Sequence, residues 1–307
     1  MVDNLTLVYN IIKEHPYMLN MGKGLLAKRL KTTPEIVIKA KALIRRNQTP
    51  KEERKIPRIL ILDIETVPMK AYVWKRWKEN ISLDQTISEW FILCWSAKWL
   101  NNEYTYYDNL TPEEIKEEND YRILSSLYNL LDEADIVIAH NGSHFDIPKI
   151  NSRLIVNGFN PPSPYKQIDT LDVAKKQFGF SSNKLDALAT YFGIENKNET
   201  NFNLWKKCLE GDKEAIDYMV KYNINDVEIL EKVYLRLRPW IKNHPNMSIY
   251  NDNKLVCSCC GSAKLEPIKD STYDTNISKF PIFRCKNCGA ISRSRVSVNT
   301  KPSIVSI

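Results

Sequence analysis

The chain has 307 residues, 43% of them hydrophobic and 26% charged, with a formal net charge of +7. That is enough for one sizeable packed domain and one or two small ones. No stretch approaches the ~20 apolar residues of a membrane span, and MVDNLTLVYNIIKEHP lacks the basic start and unbroken apolar run of a signal peptide; the expectation is a cytoplasmic protein. The charge is uneven. Residues 1–58 hold 13 Lys/Arg against 5 Asp/Glu, residues 59–242 hold 22 against 28, and residues 243–307 hold 9 against 4. An acidic centre between two basic ends suits a metal–carboxylate centre with flanking contacts to a polyanion.

Residues 4–15 carry apolar positions at helical spacing, and Gly24–Lys31 reads as a second short helix. Thr33 caps a third helix with Pro34 at its first position and Val37, Ile38, Ala40, Leu43 and Ile44 inward. The pattern resembles a helix-turn-helix over residues 1–47, with Pro34–Arg46 in the recognition place. Lys39, Lys41, Arg45 and Arg46 would then meet phosphates or base edges; the plainer reading is a small bundle for packing or protein contacts. Residues 48–57 (TPKEERKIP within them) read as an exposed linker.

A central domain is expected over residues 58–242. Ile59–Leu62 run straight into Asp63-Ile64-Glu65-Thr66, a strand buried on both faces that ends in two acids. Alternation puts Asp63 and Glu65 on one side, about 7 Å apart, where desolvation favours a divalent cation between them. Trp90–Leu100 and residues 103–107 read as strands, antiparallel to the first because the connections are short. Thr111 caps a helix running towards Leu131, followed by a parallel strand at Asp135–His140 and another near Lys166–Thr170. Trp74, Trp77, Trp90, Trp95 and Trp99 crowd this region; they are candidates for base stacking, with Trp95 and Trp99 favoured as core. Asp212 caps a long helix, Lys213–Arg236, on which Tyr222 and Asp226 share a face.

Three motifs stand in order: DIET at Asp63–Thr66, N-x-x-x-FD-x-P at Asn141–Pro148, and Y-x-x-x-D at Tyr222–Asp226. Together they resemble the exonuclease motifs of the DEDD 3′–5′ exonuclease superfamily, in its Tyr variant. The likeness spans roughly Pro57–Trp240 and points to the proofreading domains of family B DNA polymerases and to YprB-like exonucleases, many of them encoded by bacteriophages. The fold it implies is ribonuclease H-like: an α/β domain with a mixed five-stranded sheet and flanking helices. The activity it implies is two-metal hydrolysis of DNA ends to nucleoside 5′-monophosphates. Asp63, Glu65, Asp146 and Asp226 would hold two Mg²⁺ or Mn²⁺, Asp63 bridging both, and Tyr222 would orient the attacking water. The alternatives are a ribonuclease or structure-selective endonuclease on the same residues, or a non-catalytic DNA-binding factor with a dead core. Replication or repair proteins are conceivable partners. The family does not use His140 or His144, which read as structural, and Asp169 matches a polar position outside the four carboxylates.

The tail, residues 250–296, holds two C-x-x-C-G knuckles: Cys257, Cys260 and Cys285, Cys288. Four thiolates so spaced give a tetrahedral Zn²⁺ site, and the pattern resembles a zinc ribbon. Cys259 is left out because it breaks the match with Cys288-Gly289. Arg293 and Arg295 are candidate nucleic-acid contacts, and no structure is expected from Ser297 onward.

Overall fold

A computed structural model describes residues 4–14, 16–19, 21–46, 56–195, 200–251, 255–299 and 304. Most of the linker expected at 48–57 lies outside the described residues, as do His15 and the side chains of Arg45 and Arg46.

Helices α1 (Asn4–Glu14), α2 (Lys23–Arg29) and α3 (Pro34–Arg46) form the amino-terminal module. They share a small core of their own around Val8, Ile12, Leu26, Val37 and Ala40. The chain then enters a five-stranded sheet built from β1 (Ile59–Thr66), β4 (Ile92–Trp99), β5 (Thr105–Asn109), β6 (Ile136–Ala139) and β7 (Lys166–Asp169), in the order β5-β4-β1-β6-β7. The β1·β4 and β4·β5 pairs are antiparallel, whereas β1·β6 and β6·β7 are parallel; the short β4–β5 connection explains its pairing, but the connection from β1 to β4 is long, contrary to the expectation. β2 (Lys70–Ala71) and β3 (Thr86–Ser88) form a separate small hairpin between β1 and β4, which the sequence reading did not foresee.

β1 is the central strand, and its alternation sorts the core. Leu60, Leu62 and Ile64 join the main cluster on one face; Ile59 and Ile61 pack against Val227, Leu230 and Tyr234 of the long helix on the other. That helix, α10 (Lys213–Leu237), starts on the Asp212 carboxylate, which accepts from the amides of Glu214 and Ala215 at 2.9 and 3.2 Å. Trp95 and Trp99 are core residues, 2% and 8% exposed; the Trp95 indole donates to the Ile123 carbonyl at 2.8 Å.

The expected single helix from Pro112 towards Leu131 is two: α4 (Pro112–Lys116) and α5 (Tyr121–Glu133). Glu118 turns the chain with a φ of 52°, and Asp120 is pulled fully inside. There Asp120 accepts from Arg153 of α6 (Asp146–Val156) at 2.7 and 2.8 Å and from the Ile92 amide at 3.0 Å. One buried carboxylate thus joins β4, α5 and α6.

The tail is a three-stranded antiparallel sheet of β8 (Leu265–Asp274), β9 (Lys279–Cys285) and β10 (Ile291–Arg293). It is tied to the nuclease-like core at Met247, whose amide donates to the Ser258 carbonyl at 2.9 Å while its side chain packs with Tyr234. The expectation of no structure after Ser297 needs correction. Val298 donates to the Lys279 carbonyl at 2.9 Å, and the Asn299 side chain accepts from the Lys279 amide at 2.6 Å, so this segment closes the open edge of β9. Among the described residues no helix is long and apolar enough to cross a membrane.

Arg153→Ala leaves Asp120 charged and buried without its ion-pair partner. Urea unfolding should show a loss of about 3–5 kcal/mol; a change under 1 kcal/mol would mean that Asp120 does not join the three elements energetically.

Candidate active site

Asp63 and Glu65 lie at the carboxyl end of β1 on the face towards α10, both half-buried. Asp226 comes from the middle of α10 and is 8% exposed. Carboxylate oxygens of Asp63, Glu65 and Asp226 lie within 4.8 Å of one another. Asp146 enters from the first turn of α6, 1% exposed, and accepts from the Ile64 amide at 3.1 Å. It therefore adjoins the cluster from the strand between the two β1 acids without belonging to its tightest group. Tyr222 stands one turn before Asp226 on the same helix and favours the charged form of its carboxylate.

The electrostatics follow from crowding. Burial, then Asp146, Glu65 and Asp226, raise Asp63 well above the carboxylate range. Burial and the same neighbours push Glu65 to about 8. Burial puts both Asp146 and Asp226 at about 7. Four carboxyls that resist ionising together fit a cation that would let them ionise. A second observation agrees: the Asp226 Oδ1 and Asn223 Oδ1 atoms are buried and have no hydrogen-bond partner. Acceptors without donors, grouped with hard carboxylate oxygens, match Mg²⁺ or Mn²⁺.

Two supporting residues escaped the sequence reading. The Asn223 amide donates to Asp63 Oδ2 at 2.6 Å. The Trp205 side chain, on α9 (Phe202–Leu209), lies by Glu65 and favours its charged form. Asn223 stands three residues before Asp226, so helical spacing places it on the site's face. Trp205 has no such local signal; it arrives only because α9 packs on α10.

Asp169 steadies the approach to Asp146. Its carboxylate accepts from Asn141 and Ser143 at 2.9 and 3.0 Å and also caps α7 (Thr170–Gln177) through Leu171 at 3.0 Å. The loop it holds is tight. Asn141 has a φ of 65°, and a Cβ on Gly142 would fall 2.3 Å from the Ala139 side chain. His140 has its Nδ1 2.9 Å from Thr170 Oγ1 and lines the cleft that Tyr222 and Asp226 also line. His144, Asp169 and Asp172 form a further group with ligand atoms within 4.8 Å. The Asp169 oxygens are already taken by backbone donors, and Asp172 pairs with Lys176 at 3.1 Å.

In the tail, the Sγ atoms of Cys257, Cys260, Cys285 and Cys288 lie within 4.8 Å of one another, with 3.6 Å between Cys257 and Cys288 and between Cys260 and Cys285. Four sulfurs about 2.3 Å from a zinc ion would stand about 3.8 Å apart, so the cluster fits a zinc ribbon. Gly261 and Gly289 follow the knuckles at φ of 73° and 82° and donate back to the Cys257 and Cys285 carbonyls at 2.9 Å. Cys259 is buried beside the cluster but outside it.

Of the candidate nucleic-acid contacts, Lys39 and Arg295 are exposed. Lys41 is occupied, its Nζ donating to the Met21 carbonyl. Arg293 lies over the rings of Phe280 and Tyr273, at 4.3 and 5.4 Å from their centroids.

The five-stranded mixed sheet and the carboxylates at the end of its central strand define a ribonuclease H-like domain. Residues 60–238, more than half of the chain, match the RNase H superfamily, and the chain belongs to it; that membership supports a nuclease. Protein NEN2 of Arabidopsis thaliana is 33% identical over 95 residues, which cover 28% of this chain and 19% of that protein. Among solved structures, the family B DNA polymerase of the archaeon Pyrobaculum calidifontis aligns with a TM-score of 0.42 and 11% identity, over 72% of this chain and 32% of that one. The chain thus spans less than a third of either protein's length.

Raised carboxyl pKa values cost stability as pH rises. The unfolded chain releases these protons near pH 4, while the folded chain, without divalent ions at this site, holds them up to about pH 7–8. Stability from this source is therefore present below about pH 4 and lost through pH 8. With zinc retained and no Mg²⁺ or Mn²⁺, Asp226→Asn should melt above the parent at pH 8 by at least about 3 °C. The gap should close at pH 5, and Mn²⁺ should raise only the parent. A gap independent of pH would contradict the electrostatic reading.

Proposed function

We propose that the chain is a metal-dependent 3′–5′ exonuclease acting on nucleic-acid ends. The observation that carries this is the convergence of Asp63, Glu65 and Asp226 oxygens within 4.8 Å, with Tyr222 lining the same cleft as Asp226. Asp63, Glu65, Asp146 and Asp226 would hold the divalent ions. When bound, the ions supply water activation and neutralise charge on the phosphate and the leaving oxygen.

The chain's own residues set the geometry for that chemistry. Asn223 fixes one Asp63 oxygen, and Trp205 beside Glu65 favours its carboxylate form. Burial, Asp226 and Glu65 push the Tyr222 phenol far up. It keeps its proton at neutral pH, which makes it a hydrogen-bond partner that orients water rather than a general base. Asp146 holds the Ile64 amide and so ties the α6 end of the site to β1.

An end-directed mode is favoured by the cleft beside the carboxylates. It measures about 540 Å³ and is lined by Tyr222, Asp226, Ser182, Asn183 and Lys184 among others. That is the size of a small-molecule site, with room for a terminal nucleotide rather than a duplex. The 3′ polarity rests on the resemblance of the three motifs to those of the DEDD 3′–5′ exonucleases. DNA is the preferred substrate in this reading and RNA the alternative. The helical module at 1–47 and the ribbon at 250–296 would be accessory nucleic-acid-holding units, the ribbon around one structural Zn²⁺.

The test uses 5′-labelled single-stranded DNA and RNA of one sequence with Mg²⁺ or Mn²⁺. The parent should give a ladder shortening from the 3′ end, and Asp226→Ala should lose about 10³-fold or more in rate. Trp205→Phe should lower the rate with folding intact, and its deficit should shrink at saturating metal. Undiminished hydrolysis in excess EDTA, or by Asp226→Ala, would overturn the proposal.

A further inference from the structure

The hairpin that interrupts the sheet carries surface that folding does not explain. β2 and β3 pair Lys70 with Ser88 and Ala71 with Thr86. Beyond Ala71 the chain leaves the body of the protein, and every residue from Tyr72 to Lys78 is exposed. Trp74 is 93% exposed, Trp77 81% and Tyr72 73%. Exposing two indoles and a phenol in one short segment forgoes the burial that stabilises aromatic residues elsewhere, at about 25 cal/mol per Å². An exposed apolar cluster of this kind marks an interaction surface.

The base of the segment is well built. The Tyr72 amide donates to the Gln85 carbonyl at 2.9 Å, the Gln85 side chain returns a bond to the Tyr72 carbonyl at 3.2 Å, and the Ser82 amide donates to Gln85 Oε1 at 3.0 Å. The aromatics are therefore held out on an anchored arm.

Charge selects the occupant. Lys70, Lys75, Arg76 and Lys78 alternate with the aromatics, and residues 70–78 contain no acid. None of these four cations pairs with a carboxylate among the described residues. Flat aromatic faces interleaved with free cations are what unpaired bases and a phosphate backbone require. Position agrees. The arm begins at Lys70, a few residues after β1 ends at Thr66 and so close in the chain to Glu65. Another such pair stands where the chain returns from the arm and on the helix of Asp146: the Lys149 ammonium lies 3.6 Å from the centroid of the half-buried Trp90 ring, one turn along α6 from Asp146.

We propose that the arm at residues 70–88 binds single-stranded nucleic acid. Trp74 and Trp77 stack on unpaired bases of the strand whose end occupies the carboxylate site, and Lys70, Lys75, Arg76 and Lys78 neutralise its phosphates. The identity of the strand rests on the nuclease reading; the binding itself does not.

The test uses the full chain with zinc retained. Binding of a fluorescein-labelled oligo-dT 12-mer is measured without Mg²⁺ or Mn²⁺ for the parent, Trp74→Ala/Trp77→Ala and Trp74→Phe/Trp77→Phe. Hydrolysis of a dinucleotide too short to reach the arm is measured with Mn²⁺. Affinity should fall about tenfold or more in the Ala pair and recover largely in the Phe pair, with dinucleotide hydrolysis unchanged. Lys75→Ala/Arg76→Ala/Lys78→Ala should flatten the slope of log affinity against log salt by about 2. Affinity within twofold of the parent in the Ala pair would overturn the proposal. So would an equal loss of dinucleotide hydrolysis in the Ala pair, or preferential binding of the parent to anionic vesicles. If the parent hydrolyses neither substrate yet loses oligonucleotide affinity as described, the nuclease reading fails and the arm stands.

Discussion

Like charge in a small volume is the constraint on which the rest of this structure depends. Asp63, Glu65 and Asp226 are brought within 4.8 Å, with Asp146 against the same strand. Such a group cannot ionise fully without a counter-charge, so something must hold it together against its own repulsion. The protein uses directed donors, Asn223 on Asp63 and the Ile64 amide on Asp146, and sets Trp205 by Glu65 and Tyr222 by Asp226, where each favours the charged carboxylate. Each donor comes from an element that the hydrophobic core has already fixed. The repulsion is thereby stored in a rigid frame, which is the condition for a high-affinity divalent site.

The sheet supplies that frame. β1 lies between an antiparallel and a parallel neighbour and is buried on both faces up to Leu62. Its carboxyl end is the first place where polar side chains can face a cleft, a common location for sites in open α/β sheets. α10 crosses beneath it, packing Val227 and Leu230 on Ile59 and Ile61. That packing sets the depth at which Tyr222 and Asp226 arrive. The pair of fully buried Asp120 with partly buried Arg153 does the same for α6 and thus for Asp146.

What was legible in the sequence was what chain-local spacing encodes. The period of two on β1 placed Asp63 and Glu65 together; the period of a helix placed Tyr222 with Asp226; the knuckle spacing placed Cys257, Cys260, Cys285 and Cys288 together. The β4–β5 direction followed from a short connection and the parallel β6–β7 pair from a helical crossover. Trp205 was not legible, because its position depends on how α9 seats on α10. The break between α4 and α5 was hidden because Asp120 looks like an ordinary surface acid until Arg153 arrives from a distant helix. The β2–β3 arm was missed for a different reason. Trp74 and Trp77 stood among the candidates for base stacking, but nothing in the residue pattern showed the two short strands that carry them, both indoles being exposed.

The most direct measurement of the central claim is anomalous diffraction from crystals of the parent grown with Mn²⁺ and zinc. The account expects manganese bound between the carboxylates of Asp63, Glu65 and Asp226, and zinc among the four cysteines. Manganese absent from the carboxylates, or found only at His144, Asp169 and Asp172, would contradict it.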